Sequence, residues 1–312
     1  MRRPNLFIKA AILVLALSST LFAQEPSPAA KPAGPTVQLS LIVTDSKNKS
    51  VNTISKEDIH LVEDKVEQTV LSLDPDVRAI DLGLLIDASG SVRSLRDSIV
   101  EAARLVVVNG RPDDDTFIER FISSDKIETL QDFTKNKDVL SRALTQIYIE
   151  GGQSAIVDAV YIGANYVAEH NRNADRRKAL LLFTDGEDRL SFYKIEKLLS
   201  LLRQEKVQVF VIGLTLDLNK QGTATRLSPR DKAEKLLSTM AEESGGRVFF
   251  PKDRTELVDS IMQIVHDLRG QFRITYQSSN AETKGVRKVE VKLDSPSGQK
   301  LKAVLPRGYE AQ

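Results

Sequence analysis

The stretch LGLLIDASGS, residues 82–91, carries the pattern that decides the fold. Its first five residues are apolar and precede small polar residues, which is typical of a buried strand. Apolar residues then recur at helical spacing from Val92 to Asn109. Asp87, Ser89 and Ser91 are therefore predicted to lie in a loop between the carboxyl end of a strand and a helix, where open α/β sheets bind ligands.

These three side chains offer one carboxylate and two hydroxyls at alternating positions. An oxygen-only ligand set suits a hard divalent cation. Asp, Ser and Gly are also ordinary turn residues. The segment by itself therefore leaves two interpretations open, a metal-binding loop and a plain turn.

Predicted strands and helices alternate over residues 79–270, which predicts a Rossmann-like, doubly wound and mostly parallel sheet with helices on both faces. The predicted strands are Ala79–Ile86, Thr116–Ser123, a short edge strand at Asp125–Leu130, Ala179–Phe183, Val207–Ile212 and Arg247–Phe250. The predicted helices are Val92–Asn109, Lys137–Ile147, Ala155–His170, Tyr193–Glu205, Asp231–Ser244 and Thr255–Leu268.

The segments on either side of this domain, residues 37–78 and 271–312, are predicted to be β-structured. Their predicted strands are Val37–Val43, Ile59–Glu63, Gln68–Leu73, Phe272–Tyr276, Arg287–Leu293 and Leu301–Leu305. Three strands alone bury too little apolar surface for a stable core. We therefore expect the two segments to combine into one small β-sandwich.

The amino-terminal segment, residues 1–23, resembles an export signal. It has a basic start, an apolar core from Ala10 to Leu17 and a small residue, Ala23, at the predicted cleavage position. An uncleaved anchor is the alternative. Residues 24–36 are rich in Pro and Ala and are predicted to be a spacer. We expect a secreted, periplasmic or cell-envelope protein.

The composition excludes several classes of protein. The chain of 312 residues has a formal net charge of +1 and no polybasic block, so nothing favours a nucleic-acid partner. The absence of Cys excludes disulfides and thiolate chemistry. The three His residues are far apart in sequence, and no Gly-x-Ser-x-Gly segment is present, so a Ser-His-Asp enzyme is not favoured.

Two further polar segments fall at the same predicted edge of the sheet. Ser154 follows a Gly-Gly-Gln sequence, and Asp185 follows the apolar run from Leu180 to Phe183. Parallel strands place their carboxyl ends at one edge. Two carboxylates and three hydroxyls are therefore expected to converge there and to leave room for waters and one exchangeable ligand. These predicted metal ligands are Asp87, Ser89, Ser91, Ser154 and Asp185.

The order of these motifs resembles the metal-ion-dependent adhesion site of von Willebrand factor A domains and integrin I domains, over about residues 79–270. That family usually has Thr in the middle motif, where this chain has Ser154. Ser keeps the ligand oxygen but lacks the methyl group that restrains the rotamer, so weaker metal affinity is expected. The resemblance implies bound Mg²⁺ or Mn²⁺ and an open position that takes an Asp or Glu of a protein partner.

The β-structured flanks resemble a bacterial group of secreted proteins, the VWFA-related Acidobacterial domain family. The segments that carry this resemblance are Val43-Thr44-Asp45, the pairs Glu57-Asp58 and Glu63-Asp64, and the closing Gly308-Tyr309.

The sequence thus favours an exported, non-enzymatic module that binds a protein partner through its metal-bearing face. A magnesium-dependent hydrolase or phosphotransfer enzyme is one alternative, although Ser89 stands where many such sites have a second Asp. A scaffold subunit with a merely stabilising metal is another. Glu187 and Asp188 are predicted either to be solvated or to contact groups around the metal.

The rest of the binding face is expected to come from loops at the same edge. These are Val92–Arg96, Gln153–Ile156, Glu187–Phe192 and Leu216–Ser228. The last of these loops is predicted either to be mobile and have no role or to take part in binding, in which case Lys220, Arg226 and Arg230 would steer an acidic partner toward the metal.

Overall fold

The structure is a computed structural model that describes residues 34–172, 175–222, 227–280, 284–295 and 298–311. The predicted export signal, most of the spacer and Arg226 lie outside the described residues. Within the described ranges, no helix combines the length and apolarity needed to cross a membrane.

The described strands and helices are numbered separately in chain order. The strands are β1 (Thr36–Thr44), β2 (Ile59–Glu63), β3 (Val66–Pro75), β4 (Ile80–Asp87), β5 (Asp115–Ser123), β6 (Lys126–Thr134), β7 (Arg177–Thr184), β8 (Val207–Gly213), β9 (Val248–Phe249), β10 (Phe272–Gln277), β11 (Val286–Leu293), β12 (Lys302–Val304) and β13 (Gly308–Glu310). The helices are α1 (Arg96–Asn109), α2 (Lys137–Thr145), α3 (Ile156–Glu169), α4 (Ile195–Glu205), α5 (Pro229–Ser244) and α6 (Arg254–Arg269).

The central sheet has six strands in the order β6-β5-β4-β7-β8-β9. All neighbouring pairs are parallel except β5 and β6, which form an antiparallel edge. Strand β4 is buried along its whole length, as expected for a strand covered on both faces. The predicted α/β fold is confirmed.

Helices cover both faces of this sheet. One core contains buried side chains of α1, α2 and α6, and the other contains buried side chains of α3, α4 and α5. Alternate residues of β4 point into the two cores, with Leu84 on the first side and Leu85 on the second. The doubly wound arrangement therefore leaves both ends of the parallel strands open to loops.

The two flanks form one antiparallel sheet with the strand order β12-β1-β10-β3-β2-β11-β13. Strand β10, from the carboxyl-terminal flank, lies between β1 and β3 of the amino-terminal flank. Leu41, Leu61, Ile274 and Val289 share one core although some of their strands are not neighbours, so the sheet is curled. This confirms that the two flanks combine into one β unit.

A buried carboxylate ties the two flanks together. Glu63 is 2% exposed and accepts hydrogen bonds from the hydroxyls of Tyr276 (2.6 Å), Ser278 (2.7 Å) and Tyr309 (3.0 Å). Glu63 and Tyr309 belong to two of the segments by which the flanks resemble the secreted bacterial family.

Several predicted boundaries were wrong. The helix predicted from Val92 begins as α-helix only at Arg96, after a 3₁₀ turn over Gly90–Leu95. The side chain of Ser89 contacts Ser91 instead of capping that turn.

Other differences concern strands. Strand β6 extends to Thr134, β9 contains only two residues, and β13 was not predicted. Three residues that include Gly are too few to show an alternating pattern.

Candidate metal centre

Asp87 is the last residue of β4, and its carboxylate is fully buried. One oxygen, Oδ2, accepts a hydrogen bond from the Thr184 hydroxyl at 2.7 Å. The Ser154 hydroxyl lies 3.2 Å from Oδ1 and 3.1 Å from Oδ2. The backbone N–H of Ser89 donates to Oδ1 at 2.9 Å. The predicted convergence of these three segments is therefore seen around a single carboxylate.

The surroundings of Asp87 disfavour an uncompensated negative charge. Burial, together with a smaller effect of the negative charge of Asp185, raises the pKa of this carboxyl to about 6. Hydrogen bonds from Thr184 and Ser89 oppose this rise because they stabilise the ionised form. A cation between the two carboxylates would favour ionisation of both.

Asp185 directly follows β7 and is 4% exposed. Its Oδ1 accepts a hydrogen bond from the backbone N–H of Glu187 at 3.0 Å. Its Oδ2 is buried and has no hydrogen-bond partner among the described residues. A buried carboxylate oxygen without a donor is costly unless another group, such as a cation, compensates for lost hydration.

The two serines that follow β4 complete the set. The Ser89 and Ser91 hydroxyl oxygens are 3.0 Å apart, and Ser91 is exposed at the rim of the site. All the predicted ligands thus lie at the carboxyl end of the parallel strands. Oxygen donors, buried charge and one unpartnered carboxylate oxygen together fit a divalent cation of the Mg²⁺ or Mn²⁺ type.

Thr184 was not among the predicted site residues. Its hydroxyl donates to Asp87 and accepts a hydrogen bond from the backbone N–H of Gly186 at 3.1 Å. The sequence carried a signal for it, since a hydroxyl residue stands directly before Asp185 at the end of a buried strand.

Asp188 forms hydrogen bonds at the start of α3 and is therefore not simply a solvated side chain. Its Oδ1 accepts hydrogen bonds from the backbone N–H of Ile156 at 2.7 Å and from the Ser191 hydroxyl at 2.5 Å. Ile156 is the first residue of α3, whose N-cap residue, Ala155, has no side-chain acceptor. Asp188 therefore supplies the missing cap from a separate loop. Glu187 instead pairs with Arg189 at 2.5 Å.

The same loop is fixed to Ser154 and Asp158. The Ser154 carbonyl accepts hydrogen bonds from the backbone N–H groups of Arg189 (2.9 Å) and Leu190 (3.2 Å). The buried Asp158 carboxylate accepts from the N–H groups of Phe192 and Tyr193, both at 2.8 Å. These bonds connect the position of the Ser154 hydroxyl to the conformation of the 187–193 loop.

Glycines permit the backbone turns that bring these segments together. Gly151 and Gly152 have φ angles of 112° and 131°, which L side chains rarely adopt. Gly186 has a φ angle of 84°, and a Cβ atom there would lie 2.8 Å from the Ala233 Cβ. The turns before Ser154 and after Asp185 thus depend on glycine.

The cations predicted to surround the site differ in their surroundings. Arg230 is 8% exposed, and its Nη2 donates to the carbonyl of Leu216, so its side chain is turned to the protein instead of facing a partner. Lys220 is exposed and has no ion-pair partner among the described residues. The prediction that Arg230 steers a partner is therefore wrong.

Apolar side chains near the site are more exposed than those of the core. Phe192 is 82% exposed and Leu190 is 52% exposed, and both belong to the loop that contacts Ser154 and Asp158.

A second cluster of metal-ligand types, Asp81, Asp115 and His170, lies elsewhere. Asp81 and Asp115 are near the amino ends of β4 and β5, opposite the end that bears Asp87. Arg176 donates to Asp81 at 2.6 Å and lies 3.7 Å from Asp115. A guanidinium thus already pairs with both carboxylates of this cluster, which distinguishes it from the site around Asp87.

A comparison with known families matches the central α/β domain. The family model described as von Willebrand factor type A domain matches residues 81–263. No curated protein matches the sequence significantly.

Several solved structures resemble the fold at low sequence identity. Crystal form 2 of proximal thread matrix protein 1 from the mussel byssus is 18% identical, has a TM-score of 0.50, and covers 63% of this chain and 49% of its own. A von Willebrand factor type A protein from Catenulispora acidiphila is 10% identical, with a TM-score of 0.49 and coverage of 91% and 74%. An aerotolerance-related membrane protein from Bacteroides fragilis is 18% identical, with a TM-score of 0.44 and coverage of 60% and 99%.

Proposed function

The chain belongs to the von Willebrand factor type A domain family, and on that premise we propose that it is an exported, non-enzymatic module that binds a protein partner through a divalent cation. The cation is Mg²⁺ or Mn²⁺, and the partner supplies an Asp or Glu side chain.

The observation that carries this proposal is the Oδ2 of Asp185, which lies near the buried Asp87 and has no hydrogen-bond partner in the described parts of the chain. These two carboxylates and the hydroxyls of Ser89, Ser91 and Ser154 would hold the ion. A hard cation with this ligand set has only two protein charges around it and supplies an attachment point for one further carboxylate. Thr184 orients Asp87 through its hydrogen bond.

The loop next to the site supports a protein partner rather than a small anion. A specific protein interface usually buries about 1,200–2,000 Å² in total, so one ion–carboxylate bond is insufficient. The exposed side chains of Leu190 and Phe192 offer apolar contact area beside the candidate ion site. Aromatic side chains are enriched among the residues that dominate interface energies.

Export of the protein is supported by the composition of residues 1–23, with its basic start and apolar core. Membership of the family is compatible with such a location but does not require it.

Titration of Mg²⁺ and Mn²⁺ by calorimetry tests the ion site. We expect Asp185→Asn and Ser154→Ala to weaken binding by about tenfold or more, because each removes a donor oxygen or its charge. Asp259→Asn is the matched control, since Asp259 is exposed on α6. Unchanged affinity in Asp185→Asn would remove this residue from the site.

Capture from an extracellular extract in Mg²⁺ or in a chelator tests partner binding. Proteins retained only in Mg²⁺, and lost with Asp185→Asn but not with Phe192→Ala, would identify a contact made through the ion. Loss with Phe192→Ala as well would assign part of the interface to the loop. Proteins that are retained equally in the chelator and by Asp185→Asn would contradict the proposal. Hydrolysis of a phosphate ester that depends on Asp87 would contradict it as well.

A further inference from the structure

A groove of about 480 Å³ lies at the other end of the molecule from the candidate ion site. It is lined by β1 and β13 of the curled sheet and by the first residues of β7 in the central sheet. Arg177 begins β7, whereas Asp185 follows its carboxyl end. The groove is therefore separate from the ion site, and its volume falls within the range of about 300–1,000 Å³ typical of ligand sites.

One wall of the groove is an unpaired strand edge. Strand β1 pairs with β10 through Thr36–Leu41, but on its other side it pairs with β12 only through Ile42–Thr44. Among the described residues, no strand pairs with that other side of Thr36–Leu41. Residues 35–40 line the groove, and β13, at the opposite end of the strand order, lines it as well.

An unpaired edge of this kind offers backbone N–H and C=O groups to an added strand. The six residues of Thr36–Leu41 extend over about 20 Å at roughly 3.3 Å per residue. Strand β1 also keeps its inward-facing residues, such as Val37 and Leu39, buried in the curled core. An added strand therefore would not need to unfold the edge to which it binds.

The other walls are strongly basic. Among the residues that the structure describes, eight Lys or Arg residues and three Glu residues line the groove. Some of these cations are already paired, for example Arg78 with Asp76 and Arg176 with Asp81. Arg172 and Lys206 are exposed and have no ion-pair partner within the described ranges.

Arg177 is a buried cation among the residues that line the groove. It is 4% exposed, and its Nε and Nη1 have no hydrogen-bond partner among the described residues. Its Nη2 donates to the carbonyl of Leu268, and its Nε lies 3.9 Å from Asp76. Burial lowers the pKa of this guanidinium to about 10. These two donor atoms are themselves buried, so Arg177 contributes positive charge beside the groove rather than a direct contact with a ligand.

We propose that the groove binds an extended, acidic segment of a partner protein, which adds to the open edge of β1 as a strand and directs carboxylates toward Arg172 and Lys206. The backbone pairing supplies a directional contact, and the basic wall selects the acidic sequence.

Other occupants fit these observations less well. A free polyanion would pair with the basic side chains but would not form backbone hydrogen bonds with the edge of β1. Residues 24–33 of this chain contain three prolines, which cannot donate backbone hydrogen bonds, and one Glu against one Lys. A second copy of the chain could offer a strand edge, but its own edge at β1 lies beside the same basic groove and would repel it.

The probe is a fluorescent hexapeptide with blocked ends. It has Glu at positions one, three and five and Thr at the other positions. Its binding to the full chain is measured by anisotropy. We expect the double variant Arg172→Glu, Lys206→Glu to weaken binding by about tenfold or more through like-charge repulsion. The control double variant is Lys232→Glu, Lys235→Glu, on the exposed face of α5, which should bind within about twofold of the wild type.

Two measurements separate strand addition from attraction of charge alone. Two versions of the peptide are N-methylated at alternate amides, one at the odd positions and one at the even positions. Their affinities should differ, and the version whose methyl groups block donation to the edge of β1 should bind about tenfold more weakly. Hydrogen exchange at residues 36–41 should slow when the probe binds.

Each remaining outcome overturns the proposal. The groove would be a simple polyanion site if both methylated peptides bound equally well. Displacement of the probe by heparin, with no change in hydrogen exchange at β1, would lead to the same conclusion. Concentration-dependent dimerisation that is lost in the Arg172→Glu, Lys206→Glu variant would assign the groove to a second copy. Failure of the probe to bind a correctly folded chain would exclude an acidic strand. A chelator should leave binding unchanged, which separates this test from that of the ion site.

Discussion

Asp87 and Glu119 lie on neighbouring strands, and both carboxyl groups are withdrawn from solvent. Asp87 is surrounded by hydroxyl and amide donors and has a second carboxylate nearby, so an added cation would stabilise its ionised form. Glu119 is 1% exposed, and its Oε1 has no hydrogen-bond partner among the described residues. Burial alone raises the pKa of Glu119, to about 8. The pKa values of these two carboxyl groups therefore differ. Hydrogen-bond donors oppose the effect of burial at Asp87, and none does so at Glu119 among the described residues.

The raised pKa of Glu119 makes the stability of the protein depend on pH. Between pH 4.5 and about 8 the unfolded chain has released this proton while the folded chain retains it. The free energy of unfolding should therefore fall as pH rises across this window, by up to about 1.4 kcal/mol per pH unit from this group. Glu119→Gln should remove this component, so its stability relative to the wild type should increase with pH.

Urea denaturation at pH 5, 6.5 and 8 measures this effect. Glu290→Gln is the control, because Glu290 is exposed on β11. A constant difference between Glu119→Gln and the wild type at all three values would show that Glu119 titrates normally in the folded chain.

At the scale of elements, the start of α3 connects the candidate ion site to the loop after β7. Asp188 caps the first N–H groups of the helix, and the Ser154 carbonyl is bonded to the same loop. The hydroxyl of Ser154 is thereby placed against Asp87 by a contact from a distant part of the sequence.

Removal of this cap should weaken both stability and ion binding. We expect Asp188→Ala to lower the free energy of unfolding by about 1 kcal/mol, the usual cost of losing an N-terminal cap. It should also weaken Mg²⁺ binding, because Ser154 loses part of its support. Asp188→Asn retains an acceptor and should behave more like the wild type. Denaturation and calorimetry on both variants test this, and full Mg²⁺ affinity in a destabilised Asp188→Ala would show that Ser154 does not depend on the loop.

The sequence predicted the elements better than the contacts between them. The apolar run before Asp87 and the helical spacing after it were sufficient to predict a strand, a loop and a helix in the correct order. The cap from Asp188 and the hydrogen bond from Thr184 depend on distances across the fold, which periodicity does not encode. The burial of Arg230 was missed for the same reason, since its partner is a backbone carbonyl.

At the scale of the whole molecule, the curled sheet and the central domain are joined by buried polar contacts. Asp267 of α6 pairs with Arg247 at 2.7 Å and accepts a hydrogen bond from Ser50, in the loop after β1. Arg247 also donates to the carbonyl of Asn48 at 2.8 Å, and Arg177 of β7 lies 3.9 Å from Asp76, which follows β3. The flanks are thus part of the packed structure rather than appendages to it.

Deletion of residues 271–312 tests how far the fold depends on this sheet. The deletion removes β10 from between β1 and β3 and exposes Leu41 and Leu61, so we expect loss of solubility and of a cooperative melting transition. Deletion of residues 306–312 alone, which removes only the terminal strand β13, should have a smaller effect. A shortened chain without residues 271–312 that melts as cooperatively as the full chain would contradict the shared sheet.

The position of β10 also sets the timing of folding during synthesis. Both of its partners, β1 and β3, precede the central domain in the chain, and β10 follows it. At about 5–20 residues per second, a ribosome would need roughly 10–40 seconds to proceed from the end of β3 to the start of β10. The sheet cannot close during this interval, so the nascent chain keeps unpaired edges until its last strands emerge.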